Sequence, residues 1–95
     1  MRNYEAMYVL RPDMDEEQIN AAVEKFSGII AANGGEVTKV DHWGKRRLAF
    51  EVQKLREGYY VLCYFTADAD LPKELERNFK ISDEVIRFLV VREGE

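Results

Sequence analysis

The chain has 95 residues, 46% of them hydrophobic, with two prolines and six glycines, enough for one domain over residues 1–95 with a single core and too little for two cores or long linkers. Its net charge of −4 excludes simple charge-driven coating of nucleic acid, which draws affinity from basic residues that release counterions. No apolar run approaches the roughly 20 residues of a membrane helix, and the opening Met-Arg-Asn-Tyr-Glu has no hydrophobic signal core, so a soluble protein of the cytoplasm is expected.

Arg2 to Leu10 is rich in aromatic and β-favouring residues and closes on the turn-forming Arg11-Pro12-Asp13. It predicts a first strand whose even positions, Tyr4, Ala6, Tyr8 and Leu10, meet the core. Asp15 followed by Gln18 has the capping-box spacing, and Asp15, Glu16 and Glu17 put negative charge at the positive end of a helix dipole. Ile19, Ala22, Val23, Phe26 and Ile30 then draw one apolar stripe, and Asn33-Gly34-Gly35 supplies the helix stop. Glu36 to Gln53 reads as extended, with Leu48 and Phe50 tying its far half to the core. As one straight strand it would run about 55 Å, against about 28 Å for the first helix, so it has to overhang or bend, and Gly44 is the natural place.

Lys54 to Gly58 reads as a polar connection, and Tyr59 to Phe65, apolar or aromatic throughout, as a strand buried on both faces. Asp68, Asp70 and Pro72 open a second helix with the stripe Leu71, Leu75 and Phe79. After a turn at Ser82-Asp83-Glu84, the last strand runs from Val85 to Arg92. Alternation puts Ile86, Phe88 and Val90 on its core side and Arg87, Leu89 and Val91 on the other.

The order β-α-β-β-α-β predicts an α+β, ferredoxin-like arrangement: a four-stranded antiparallel sheet with two helices packed on one face. The other face is left open. It is expected to carry Met7, Val9, Leu89 and Val91, some side chains of the all-apolar third strand, and the charged Glu5 and Arg87, and that much apolar surface implies a partner.

Catalytic chemistry finds little support. Cys63 lies among Val, Leu, Tyr and Phe and reads as a small buried hydrophobe. His42 has no second histidine for a metal and no nucleophile nearby in sequence, and reads as an exposed turn histidine. The carboxylates Asp13, Asp15, Glu16 and Glu17 coincide with a helix start that accounts for them. Gly34-Gly35 follows a helix where a phosphate loop would precede one. No enzyme signature is present, and no metal, cofactor or small-molecule substrate is expected.

The nucleic-acid signal is local. Between Val37 and Arg56 six basic residues (Lys39, Lys45, Arg46, Arg47, Lys54, Arg56) face two acidic ones, Asp41 and Glu51, so this segment is net +4 within an acidic chain. Arg2, Arg87 and Arg92 belong to the two terminal strands, which lie side by side in this topology. Alternation aims Arg46 opposite to Lys45 and Arg47, so the three cannot all serve one surface. Protection of an exposed strand edge by charge explains the run as well as RNA does. Trp43, beside the glycine kink, reads as a cover for a corner of the core in preference to a base-stacking residue. Glu57-Gly58-Tyr59-Tyr60-Val61-Leu62-Cys63-Tyr64 partly echoes the third-strand motif of RNA-recognition domains, but Glu57 stands where a basic residue belongs and Tyr60 where a small one does.

Met-Arg-Asn-Tyr-Glu with Tyr8 to Pro12, Gly34-Gly35-Glu36-Val37, Trp43 to Phe50, Glu57-Gly58-Tyr59-Tyr60 and Ile86 to Val91 recur in this order in one family. The whole chain resembles the family of ribosomal protein six of the bacterial small subunit. The resemblance implies a ferredoxin-like fold and a structural, non-catalytic role on the ribosome: binding 16S ribosomal RNA in the platform together with ribosomal protein eighteen. It implies RNA contact for Lys45, Arg46 and Arg47, and by position on neighbouring strands for Arg2, Arg87 and Arg92. A basic partner would let the chain itself stay acidic. The last strand is followed only by Glu93-Gly94-Glu95, so the longer tail of some relatives is not expected. The competing reading is a ligand-sensing or dimerising regulatory domain on the same scaffold, using the open face as a dimer interface.

Overall fold

A computed structural model describes Met1–Gly94; Glu95, the end of the short tail, lies outside the described residues. The elements are β1 (Arg2–Leu10), α1 (Glu16–Ala32), β2 (Glu36–Val52), β3 (Leu55–Ala67), α2 (Leu71–Ile81) and β4 (Val85–Arg92). The strands form one antiparallel sheet in the order β2-β3-β1-β4. This is the expected β-α-β-β-α-β fold, with β1 and β3 inside and β2 and β4 at the edges.

Local chemistry explains the helix ends. The Gln18 backbone N–H donates to Asp15 Oδ1 at 2.8 Å, and the Asp15 N–H donates to Gln18 Oε1 at 2.9 Å. Two donors that the helix leaves unpaired are thereby satisfied. At the other end Gly34, at φ +85, adopts the left-handed backbone that glycine tolerates best, and the Gly35 N–H returns to the Ile30 carbonyl at 2.9 Å.

The main core lies between the sheet and both helices. Tyr4, Ala6, Tyr8 and Leu10 of β1 and Val61, Cys63, Phe65 and Ala67 of β3 meet Ile19, Ala22, Phe26 and Ile30 of α1 and Leu71, Leu75 and Phe79 of α2. At its centre Phe79 touches three rings, with centroids 5.0 Å from Tyr8, 4.8 Å from Phe26 and 5.3 Å from Phe88. Burial drives the Cys63 thiol up to about 11, so it stays protonated at neutral pH.

A second, smaller cluster sits on the opposite face: Val9, Leu48 and Ile86, with Val52, Leu55 and Tyr60 against them. It corrects three expectations. Val9 is fully buried, because β2 and β3 run past the end of β1 and fold Leu48 over it; it is not available to a partner. Ile86 belongs to this cluster and Val85 takes the core side, because the β1–β4 register shifts between Val9 and Leu10. Phe50 does not reach a core; it is 66% exposed.

The overhang also bends. Seventeen extended residues would run about 55 Å, yet the molecule's longest dimension is 37 Å. The register of β2 against β3 shifts at Val37/Lys39, at His42/Gly44 and between Arg47 and Val52. Gly44 takes φ +86 at the middle shift, as the glycine kink requires. The connection to β3 is shorter than expected: Lys54 to Gly58 is not a loop. Only Gln53 and Lys54 intervene, at φ 51 and 65, in the two-residue hairpin geometry that needs positive φ at both positions.

Gly58, a loop residue by sequence, is buried within β3, where a Cβ would overlap Val9 Cγ1 and come within 3.2 Å of Ile86 Cδ1 and the Leu10 carbonyl. The stiff Val9 side chain has little room to yield. Gly58→Ala is expected to cost about 2 kcal/mol in denaturant unfolding. Introduced on a Val9→Ala background, where the clash is gone, the same change should cost clearly less. Equal costs in both backgrounds would count against this packing account.

Candidate nucleic-acid interface

Cross-strand register assigns the basic run of β2 to its faces. Arg46 pairs with Gly58, whose missing Cβ would point at Val9 and Ile86, so Arg46 belongs to the open face. Lys45 pairs with Tyr59, which packs against the main core, and Arg47 with Glu57, so these two belong to the helix-facing side. All three are exposed.

The other candidate arginines divide as well. Arg87 pairs with Val9 on the open face, whereas Arg2 pairs with Ala67 and Arg92 with Tyr4, both core-side positions. Arg92 also lies five register steps from Arg87, roughly 16 Å along the strand. The structure therefore brings together Arg46 and Arg87, at the hairpin end of the open face and three strand spacings apart, about 14 Å. Arg2 and Arg92 sit at the far end of the sheet.

Each of the paired arginines lies over an exposed aromatic ring. The Arg46 guanidinium is 5.1 Å from the centroid of Trp43, and that of Arg87 is 5.3 Å from Phe50. Such contacts preorganise a charged fork on a flat apolar support. Phe50 and Arg87 come from the two edge strands, so their contact also ties the bent hairpin arm across the sheet to β4. Strand alternation, which assigns Phe50 to the core, gives no hint of this contact, since it joins strands that do not pair.

Beside the arginines the open face is apolar. Leu62, Met7 and Leu89 form one cross-strand row, and Tyr64, Glu5 and Val91 the next. Leu89 is 56% and Val91 42% exposed, and Met7 is half-buried. Burial, then the nearby Glu5 and Asp41 carboxylates, raise Tyr64 above its ordinary pKa, so its hydroxyl remains a donor well into alkaline conditions. Tyr60 and Tyr64, half-buried, complete a surface of which the sequence specifies only the strand, and Leu62 between them is buried.

His42 is exposed, as expected, but lies within β2 and not in a turn. Its Nδ1 is 2.9 Å from the Tyr59 hydroxyl, and the two line a groove with Glu16, Ile19 and Asn20. Among the described residues no group of three or more His, Cys, Asp or Glu side chains is placed to hold a metal ion, and no helix is long and apolar enough to cross a membrane.

Comparison with known proteins gives consistent results. Residues 3–92 match the family described as Ribosomal protein S6. The chain is 53% identical over 95 residues to a small ribosomal subunit protein bS6 of Carboxydothermus hydrogenoformans, covering all of this chain and 99% of the relative. It is 56% identical over 91 residues to one from Clostridium botulinum, covering 96% and 97%. Among solved structures, 30S ribosomal protein S6 from Thermotoga maritima superposes with a TM-score of 0.92 at 34% identity, covering 97% of this chain and 87% of that one.

Proposed function

The chain belongs to the ribosomal protein S6 family and is a constituent of the small ribosomal subunit, and from that premise we propose that it binds 16S ribosomal RNA in the platform jointly with ribosomal protein eighteen, without catalytic activity. Its place of work is the cytoplasmic ribosome. The observation that carries the reading is the division of the open face. Met7, Leu89 and Val91 offer an apolar strip to a protein, while Arg46 and Arg87 hold charged forks at the hairpin end.

Charge argues for the joint mode. A chain of net −4 has little long-range attraction for RNA, so a local patch can act only once something else brings the RNA near. A basic partner seated on the apolar strip supplies that. RNA contact by Lys45, Arg46, Arg47, Arg87, Arg2 and Arg92 then depends on which side of the sheet the RNA passes. The face holding Arg46 and Arg87 is favoured, because the partner strip adjoins it.

Gel-shift titration of a platform RNA fragment tests this directly. The chain alone is expected to shift the RNA weakly, and the chain with ribosomal protein eighteen to shift it at far lower concentration. Failure of the mixture to bind any better than the partner by itself would overturn the proposal.

A further inference from the structure

Trp43 is the chain's single tryptophan, and it occupies the extra position where β2 slips against β3 between His42 and Gly44. It is part of neither buried cluster, and 47% of it is exposed. The corner-covering role expected from sequence therefore does not account for it. Its ring is instead paired with Arg46, three residues along the same edge strand, at 5.1 Å. A flat ring held out of both cores, beside a fixed guanidinium, on the segment that concentrates the chain's positive charge, has the two elements that hold an unpaired nucleotide. One is a π face for a base and the other a donor fork for its phosphate. A regular duplex can use only the second, because its bases are already stacked on one another.

We infer that Trp43 and Arg46 form a stacking station for an unpaired RNA base, with Trp43 taking the base and Arg46 the flanking phosphate. This rests on the RNA-binding reading above and adds the kind of RNA: a loop, bulge or junction nucleotide in place of a continuous helix. The bulge in β2 is part of the device, because it gives the extra residue of an edge strand no cross-strand partner to lie against.

Fluorotryptophan incorporated into this chain gives one fluorine resonance, and an unlabelled partner protein contributes none. Adding a platform RNA fragment to the chain with its partner is expected to shift that resonance. In parallel gel shifts, Trp43→Phe should bind within about twofold of the native chain, and Trp43→Leu about tenfold more weakly with the salt dependence unchanged. Circular dichroism of both variants checks that they are folded. A resonance that stays put while the gel shift shows a complex would overturn the inference and leave RNA binding standing. Movement on adding the partner alone would make Trp43 a protein contact and overturn it too. If no complex forms in the gel, both this inference and the RNA-binding reading fall.

Discussion

Changing Lys45, Arg46 and Arg47 together to glutamate is expected to weaken joint binding to a platform RNA by about two orders of magnitude at moderate salt, without loss of the fold. The three side chains are exposed, and none makes a salt bridge among the described residues; Arg46 lies over the Trp43 ring. For every phosphate that a variant no longer neutralises, the slope of log affinity against log salt becomes shallower by about 0.7 to 0.9. The slope therefore counts how many of the three touch RNA. Because register splits them between faces, two double variants sharpen the test. Arg46→Glu with Arg87→Glu removes the open-face pair, and Lys45→Glu with Arg47→Glu removes the opposite one. The larger effect is expected from the first. Equal affinity and equal slope for the triple variant and the native chain would remove these residues from the interface.

Phe79→Ala is expected to lower the unfolding free energy by about 3–5 kcal/mol, a large share of the roughly 5–15 kcal/mol typical of a domain. Phe79 is fully buried and sits among Tyr8, Phe26 and Phe88, all within 5.3 Å of it by ring centroid. Truncation leaves a void bounded by rigid rings from two strands and a helix, which have little freedom to close it. Urea unfolding should show a lower midpoint with an unchanged m-value. RNA affinity measured on folded protein should be unaffected, since the residue lies on the far side of the sheet from Arg46 and Arg87. A cost below about 1 kcal/mol would mean that the cluster repacks, contrary to this account.

Periodicity made most of the fold readable. The even positions of β1, the stripe of α1 and the Asp15–Gln18 cap are local patterns, and local physics decides them. The bend at Gly44 was also readable, because a straight strand of that length cannot fit a small domain. What escaped was set by contacts between distant segments. Gln53 and Lys54 turn the hairpin with no glycine or asparagine to announce it, so Gly58 looked like the turn residue when it is the place where β3 passes Val9. One register shift on the β1–β4 ladder exchanges the faces of Val85 and Ile86, and single-strand alternation contains no trace of it. For the candidate site, the charges and the opposed direction of Arg46 were visible in the chain. The pairing of Arg87 with Phe50 needed the arm to be folded first.

Of the four strands of this sheet, the first to be synthesised is an inner one, flanked by β3 on one side and β4 on the other. Its ladders join Leu10 to Tyr59 and Tyr4 to Arg92, so β1 has no strand to pair with until β3 has been made, and its other edge stays open until β4 has. Closing such distant pairs is slow compared with forming either helix. Synthesis from the N-terminus thus leaves an apolar β1 without a strand partner until β3 emerges, and the four-stranded sheet is complete only when β4 has followed.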